Sequence, residues 1–286
     1  MTKWKKYCIT SLALLLLIIM KTSGQNSIGL GFGYSVYKGD LSQPGVFGDF
    51  TQAGMAFNAY YKFQLRRSIR LRLGFYHGQI KGDDGFSDDI TRNRRNLSFR
   101  NNISELSIAG EYNFSNDYIG GSPLSFYALG GISIYRSSPK TFYNGLEYNL
   151  RELQTENQSK PYNLYHPGVI LGGGMEYELN DGVSLSLELI GRVSNNDYID
   201  DVSGNYPIYA DILNDQGQLS AILSDRRDEF LGIPEGTINA QNSGNKRGSP
   251  ESKDYIITIM INMVIRINAA DYTGKNRKRI LCPSAN

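Results

Sequence analysis

The chain has 286 residues, with Lys+Arg 30 against Asp+Glu 28, Tyr 20, Phe 12, Gly 31, Pro 9, Cys 2 and His 2. So even a charge balance excludes a nucleic-acid binder, which needs a basic footprint, and so few cysteines exclude a disulfide framework. A Tyr- and Gly-rich, Pro-poor chain with no internal apolar stripe at period 3.6 points to β-structure.

Residues 1–24 read as a secretory leader. Lys3, Lys5 and Lys6 form the positive head, 12–20 the apolar core and Thr22-Ser23-Gly24 the cleavage site. The apolar run falls short of the roughly 18 residues a membrane-spanning helix needs. Trp4, Cys8 and four lysines (Lys3, Lys5, Lys6, Lys21) leave with it, so Cys282 remains alone and the formal charge of +2 becomes slightly negative.

From there, apolar residues recur at a period of two, which is the signature of half-exposed strands. The first strand, 28–36, sets Ile28, Leu30, Phe32 and Tyr34 against Gly29, Gly31 and Gly33; it lacks dinucleotide-fingerprint spacing, and no helix follows. Strands 55–63, 69–75, 103–114, 124–135, 169–179 and 183–193 follow. Asn180-Asp181-Gly182 reads as a tight turn with positive φ, and Gly172-Gly173-Gly174 as room for curvature. The last strand, Tyr255–Ile267, is the clearest. Tyr255, Ile257, Ile259, Ile261, Met263, Ile265 and Ile267 share one side of it, and a bilayer takes about 9–11 tilted strand residues to cross.

Long connections (37–52, 81–102, 136–166, 194–254) alternate with short ones, as in outer-membrane barrels. The fold class expected is therefore all-β: an eight-stranded antiparallel transmembrane β-barrel over 25–267, with short periplasmic turns, long extracellular loops and a periplasmic tail, 268–286. A soluble lipocalin-type barrel is the alternative, but its interior would be the apolar side. Here the non-apolar side carries Lys62, Arg70, Arg72, Arg192 and Arg266 with Glu105, Glu111, Glu176, Glu178 and Glu188. Facing lipid each would be costly; facing inward they can pair. With Tyr60, Tyr76 and Tyr127 they predict a plugged lumen, since eight strands leave room only for side chains.

No catalytic, cofactor or metal site is expected. His77 and His166 sit near the loop end with Asp83 and Asp84, but no nucleophile motif accompanies them. The pairs Asp83-Asp84, Asp88-Asp89 and Asp200-Asp201 lack calcium-loop spacing and read as solvated loop. Ordering within 194–254 is left open, with a short hairpin or helix at 208–213 and 218–223. An even strand number places both termini in the periplasm. There Lys275, Arg277, Lys278 and Arg279, with Arg66 and Arg67, form either a solvated basic end or a docking patch for an acidic partner or lipid headgroups.

Several stretches carry a family likeness: 29–34 with Tyr37-Lys38-Gly39-Asp40-Leu41, 95–100 running into 103–106, 197–203, Leu223-Ser224-Asp225-Arg226, Arg247-Gly248-Ser249-Pro250, Asp254-Tyr255 and Cys282-Pro283. On these the chain resembles the PorG-like family of small outer-membrane barrels tied to type IX secretion and gliding. The resemblance implies a non-enzymatic barrel without cofactor or small-molecule substrate. It would be embedded in outer-membrane lipid and contact a periplasmic ring built from a lipoprotein and its partner. A general barrel serving envelope integrity or surface adhesion through its loops is the other function carried forward.

Overall fold

The computed structural model describes residues 26–42, 52–114, 123–194, 196–249, 251 and 253–267. The leader 1–24 and the tail 268–286, with Cys282 and the four basic tail residues, lie outside them. Among the described residues ten strands form: β1 (Asn26–Lys38), β2 (Gly54–Arg66), β3 (Ile69–Asp83), β4 (Ser98–Asn113), β5 (Leu124–Arg136), β6 (Lys140–Tyr143), β7 (Leu146–Asn149), β8 (Tyr165–Asn180), β9 (Val183–Ser194) and β10 (Tyr255–Ile267). Each of the eight long strands pairs antiparallel with its neighbours, in the order β3-β2-β1-β10-β9-β8-β5-β4, and β3 with β4 closes the ring. The closing seam expected between first and last strands runs from Asn26 opposite Ile267 to Lys38 opposite Tyr255.

Alternation sorts the side chains. Phe32, Met55, Leu106, Ile132, Leu171 and Ile261 stand on the outer wall, at least half exposed, and Lys62, Glu111, Glu188, Met260 and Val264 on the inner one, buried. An apolar exterior around a charged interior inverts the soluble barrel and suits a wall facing hydrocarbon. Each long strand has a paired neighbour on both sides, so the ring leaves no open sheet edge to the lipid. Among the described residues no helix is long and apolar enough to cross a membrane. The glycine side of β1 faces in because nothing larger fits: a Cβ on Gly29 would meet the Tyr60 ring at 2.1 Å, and one on Gly31 the Asn262 side chain at 2.0 Å.

Three details differ from the sequence reading. Both β3 and β4 continue past the apolar belt, so the connection expected at 81–102 shrinks to 84–97, which carries α1 (Ile90–Arg95). Outward residues turn polar there, while Ile80, Phe99 and Ile103 still alternate inward and are buried. The stretch 136–166 contains the β6–β7 hairpin, turned by Asn144-Gly145 at φ 49° and 78°, and α2 (Leu150–Leu153). By contrast, neither Asp181 nor Gly182 takes a positive φ. The Asn180 carboxamide oxygen accepts from the Gly182 and Val183 N–H groups instead, and an irregularity between Glu178 and Asn180 takes up the twist.

The region 194–254 is ordered over its described residues and helical: α3 (Tyr209–Gln216), α4 (Gln218–Ser224) and α5 (Arg227–Leu231). Leu41, Leu97, Leu150, Ile199, Val202 and Leu223 from the connections pack with Ile80, Phe99, Ile103, Ile256 and Met260 from the strands in one buried cluster. The long connections are therefore a folded cap, continuous with the upper lumen.

Candidate functional site

Two charged assemblies fill the molecule, one in the lumen and one in the cap. In the lumen, Lys62 Nζ sits 3.1 Å from Glu111 and 3.6 Å from Glu176, and Arg70 bridges the same two carboxylates at 2.9 and 3.1 Å. One tier further in, Arg72 holds Glu188 through two nitrogens at 2.6 and 3.0 Å, and the Tyr127 hydroxyl donates to the same carboxylate at 2.6 Å. Above these, Arg192 donates to Glu105 at 3.1 Å and to Thr258 at 2.6 Å. Arg72 lies over the Tyr60 ring and Arg192 over Tyr76, at 3.6 and 3.8 Å from the ring centroids. Glu178 and Arg266 also pair, but at the turn-end rim, with the Glu178 side chain 50% exposed. They belong to the mouth of the barrel, since β8 and β10 are ending there. A cavity of about 10 Å³ lies beside Glu105 and Arg192.

The cap holds the second assembly. Arg247, buried, donates to Glu156 at 2.9 Å, to the Asp201 carbonyl at 2.5 Å and to the Ser224 carbonyl at 3.0 Å. Glu156 also accepts from the Ser203 and Gly204 N–H groups. Arg95 clamps Asp84 at 2.6 and 2.8 Å and donates to the carbonyls of Asp40 and Arg247. Asp201 is met by the hydroxyls of Thr155 and Tyr162. Asp84, Asp200 and Asp201 were read from sequence as solvated loop; all three are fully buried. Asp84 is matched within its own connection by Arg95 and the Leu97 N–H, Asp200 by the Tyr37 hydroxyl of β1, and Asp201 by donors from another connection. Of the remaining acids, Asp89 caps α1 through the Thr91 N–H and is exposed. Among the described residues no group of three or more His, Cys, Asp or Glu side chains could hold a metal ion.

One contact sets a proton count. The Tyr37 oxygen lies 2.6 Å from Asp200 and 2.8 Å from Asp254, both buried. A phenol has one proton to donate, so the second contact is a hydrogen bond only when one carboxyl is protonated and donates back. Burial, and for Asp254 the neighbouring Asp200 carboxyl, holds both acids well above the usual carboxylate range. Asp40 and Asp197 add negative charge nearby and Arg95 offsets part of it. Asp197 and Asp201 are likewise pushed up to about 6 by burial. A carboxyl with a raised folded pKa stabilises the fold while protonated, and that stabilisation is lost as pH rises through the folded value. Amide exchange around 199–202, corrected for its intrinsic pH dependence, should therefore show more protection near pH 5.5 than near pH 8.5. Equal protection would mean that both carboxyls are ionised throughout.

The two histidines part company. His166 is buried, bonded to Asn196 and packed at a tilt against the Tyr135 ring, whereas His77 faces outward with Nδ1 2.9 Å from Ser104 Oγ. No described hydrogen bond brings a carboxylate to the His77 ring. Arg66 and Arg67 lie at the β2–β3 turn, at the same end as Asn26 and Ile267. The cap clamps on Asp84 and Asp201 had no spacing signal. Their partners Arg95 and Arg247, like Tyr37 and Asp254, lie in the stretches carrying the family likeness, and these converge on this one buried network.

A family model described as a domain of unknown function (DUF6089) matches residues 5–214. No curated protein matches the chain in sequence. Among solved structures, Neisserial surface protein A is 8% identical, with 86% of this chain and 100% of that one covered at a TM-score of 0.44. OprG from Pseudomonas aeruginosa is 9% identical over 85% and 96% at 0.42, and Ail of Yersinia pestis 12% identical over 85% and 99% at 0.41. Likeness this distant carries no functional reading.

Proposed function

This chain belongs to the DUF6089 family, and we propose that it is an integral outer-membrane barrel acting as a non-enzymatic scaffold, anchoring or stabilising a periplasmic complex of the type IX secretion system. The observation that supports a scaffold is the filled lumen: paired charges and a folded cap leave only outer surfaces for work. In this reading both termini are periplasmic. Arg66 and Arg67, with Lys275, Arg277, Lys278 and Arg279, present a basic face to the ring-forming lipoprotein and its partner.

A second reading, surface adhesion or envelope integrity through the cap, is favoured by Phe86, Ile90, Phe230 and Leu231, large apolar side chains exposed on the connections. In-cell cross-linking from position 67, followed by identification of captured envelope proteins, separates the two. Recovery of secretion-ring components is expected. Recovery of none, together with lost adhesion on deleting 205–245, would transfer the function to the cap.

A further inference from the structure

A column of outward side chains runs up β3, β4 and β5 and touches the cap at its top, where the Arg100 guanidinium lies 5.3 Å from the Phe142 ring centroid. At its foot Leu73, Phe75, Leu106, Ile108, Ile132 and Ile134 line an apolar groove of about 700 Å³ on the outer wall. Next along the same strands come neutral polar pairs: His77 with Ser104 at 2.9 Å, and Gln79 donating to Asn102 at 3.2 Å. Above them Lys81 stands opposite Arg100, and Arg100 opposite Lys140 on β6, while Arg136 stands opposite Ser104.

Like charges directly across strands repel, so such a row is unfavourable unless an anion lies on it. Lys140 is tied to Glu147 at 2.7 Å. Among the described residues, Lys81, Arg100 and Arg136 have no ion-pair partner. Arg100 and Arg136 are exposed and Lys81 half-exposed.

We propose that this column is a binding site for a lipid of the surrounding leaflet whose phosphate gives its headgroup a net negative charge. Its acyl chain fills the groove, its headgroup hydroxyls meet His77, Ser104, Gln79 and Asn102, and its phosphate rests on Lys81, Arg100 and Arg136. Phosphate oxygens accept from guanidinium and ammonium together, which a zwitterionic or neutral headgroup does less well. The order of apolar groove, polar pairs and cations along one wall matches an amphiphile lying parallel to the strands. A soluble anion would use the cations and leave the groove without a role. The site needs only the lipid-facing wall, so it stands or falls apart from any partner at the turn end.

The test uses the mature barrel in phosphatidylcholine nanodiscs doped with bisphosphorylated lipid A or with its dephosphorylated counterpart, read by native mass spectrometry after release. Wild type should retain the phosphorylated lipid and not the other. The Lys81→Gln/Arg100→Gln/Arg136→Gln variant should retain at least roughly tenfold less, given the attraction each cation near a membrane surface contributes. Leu106→Trp, which fills the groove and leaves the cations in place, should also lose it. Arg66→Gln/Arg67→Gln at the far end should not. Equal retention of both lipids by wild type, a triple variant as loaded as wild type, or a dimer mass in place of bound lipid would each overturn the proposal. Should the triple variant fail to fold, the two-lipid comparison and Leu106→Trp still decide.

Discussion

Replacing Glu188 with leucine should destabilise the barrel by about 3–5 kcal/mol, the range for removing one partner of a buried ion pair. Glu188 is 1% exposed and takes two donors from Arg72 and one from Tyr127. Without it the guanidinium keeps the face of the Tyr60 ring and loses its counter-ion. The attraction of the intact pair largely offsets its own desolvation, so the pair adds little net stability while either half alone is strongly unfavourable. Arg72→Met/Glu188→Leu should therefore recover most of the loss. Urea titration followed by the gel mobility shift of folded against heat-unfolded barrel measures both variants. A single variant as stable as the double would mean that Arg72 finds water or another carboxylate, and that the lumen is wetter than its packing indicates.

The barrel was legible because lipid imposes a one-sided alternation, and residues such as Ile259, Ile261 and Met263 announce it without help from neighbours. The lumen partners were legible for the same reason. A charge on the inner face of a narrow barrel has to meet its opposite, and Lys62, Arg72 and Arg192 each do. Legibility ends where the strands leave the hydrocarbon. Past Phe75 and Leu106 the outer face turns polar, so β3 and β4 seem from sequence to stop when only the belt has stopped. The cap was harder still. Asp84 and Asp201 look like any acidic loop residue until Arg95, from 11 positions away, and Arg247, from 46, are brought to them by the fold. The Asn144-Gly145 hairpin lies inside a stretch that reads as a long polar connection, although the Asn-Gly pair is a hairpin signal in its own right.

The second large effect is expected at Arg247. Its side chain ties Glu156, from the connection between β5 and β8, to the Asp201 and Ser224 carbonyls of the connection between β9 and β10. Glu156 in turn satisfies the Ser203 and Gly204 N–H groups, so the pair links two otherwise separate segments. Arg247→Ala leaves a buried carboxylate and two carbonyls without their donor. At about 3–5 kcal/mol for a broken buried pair, the open population of the cap should rise by roughly 10²–10⁴. Cleavage by trypsin within 205–246, under conditions where opening is fast relative to cutting, follows that population directly. The barrel should keep its folded gel mobility throughout, because the lumen pairs are untouched. Arg247→Lys should fall between wild type and alanine: a lysine can still face Glu156 but cannot reach all three partners with a planar fork. Glu156→Gln/Arg247→Met removes both charges, and should be cut more slowly than Arg247→Ala if the buried unpaired carboxylate is what opens the cap. Equal rates for those two variants would place the opening in the lost carbonyl contacts, and an Arg247→Ala cap as resistant as wild type would show that the apolar cluster around Leu97, Ile199 and Leu223 holds the cap closed by itself.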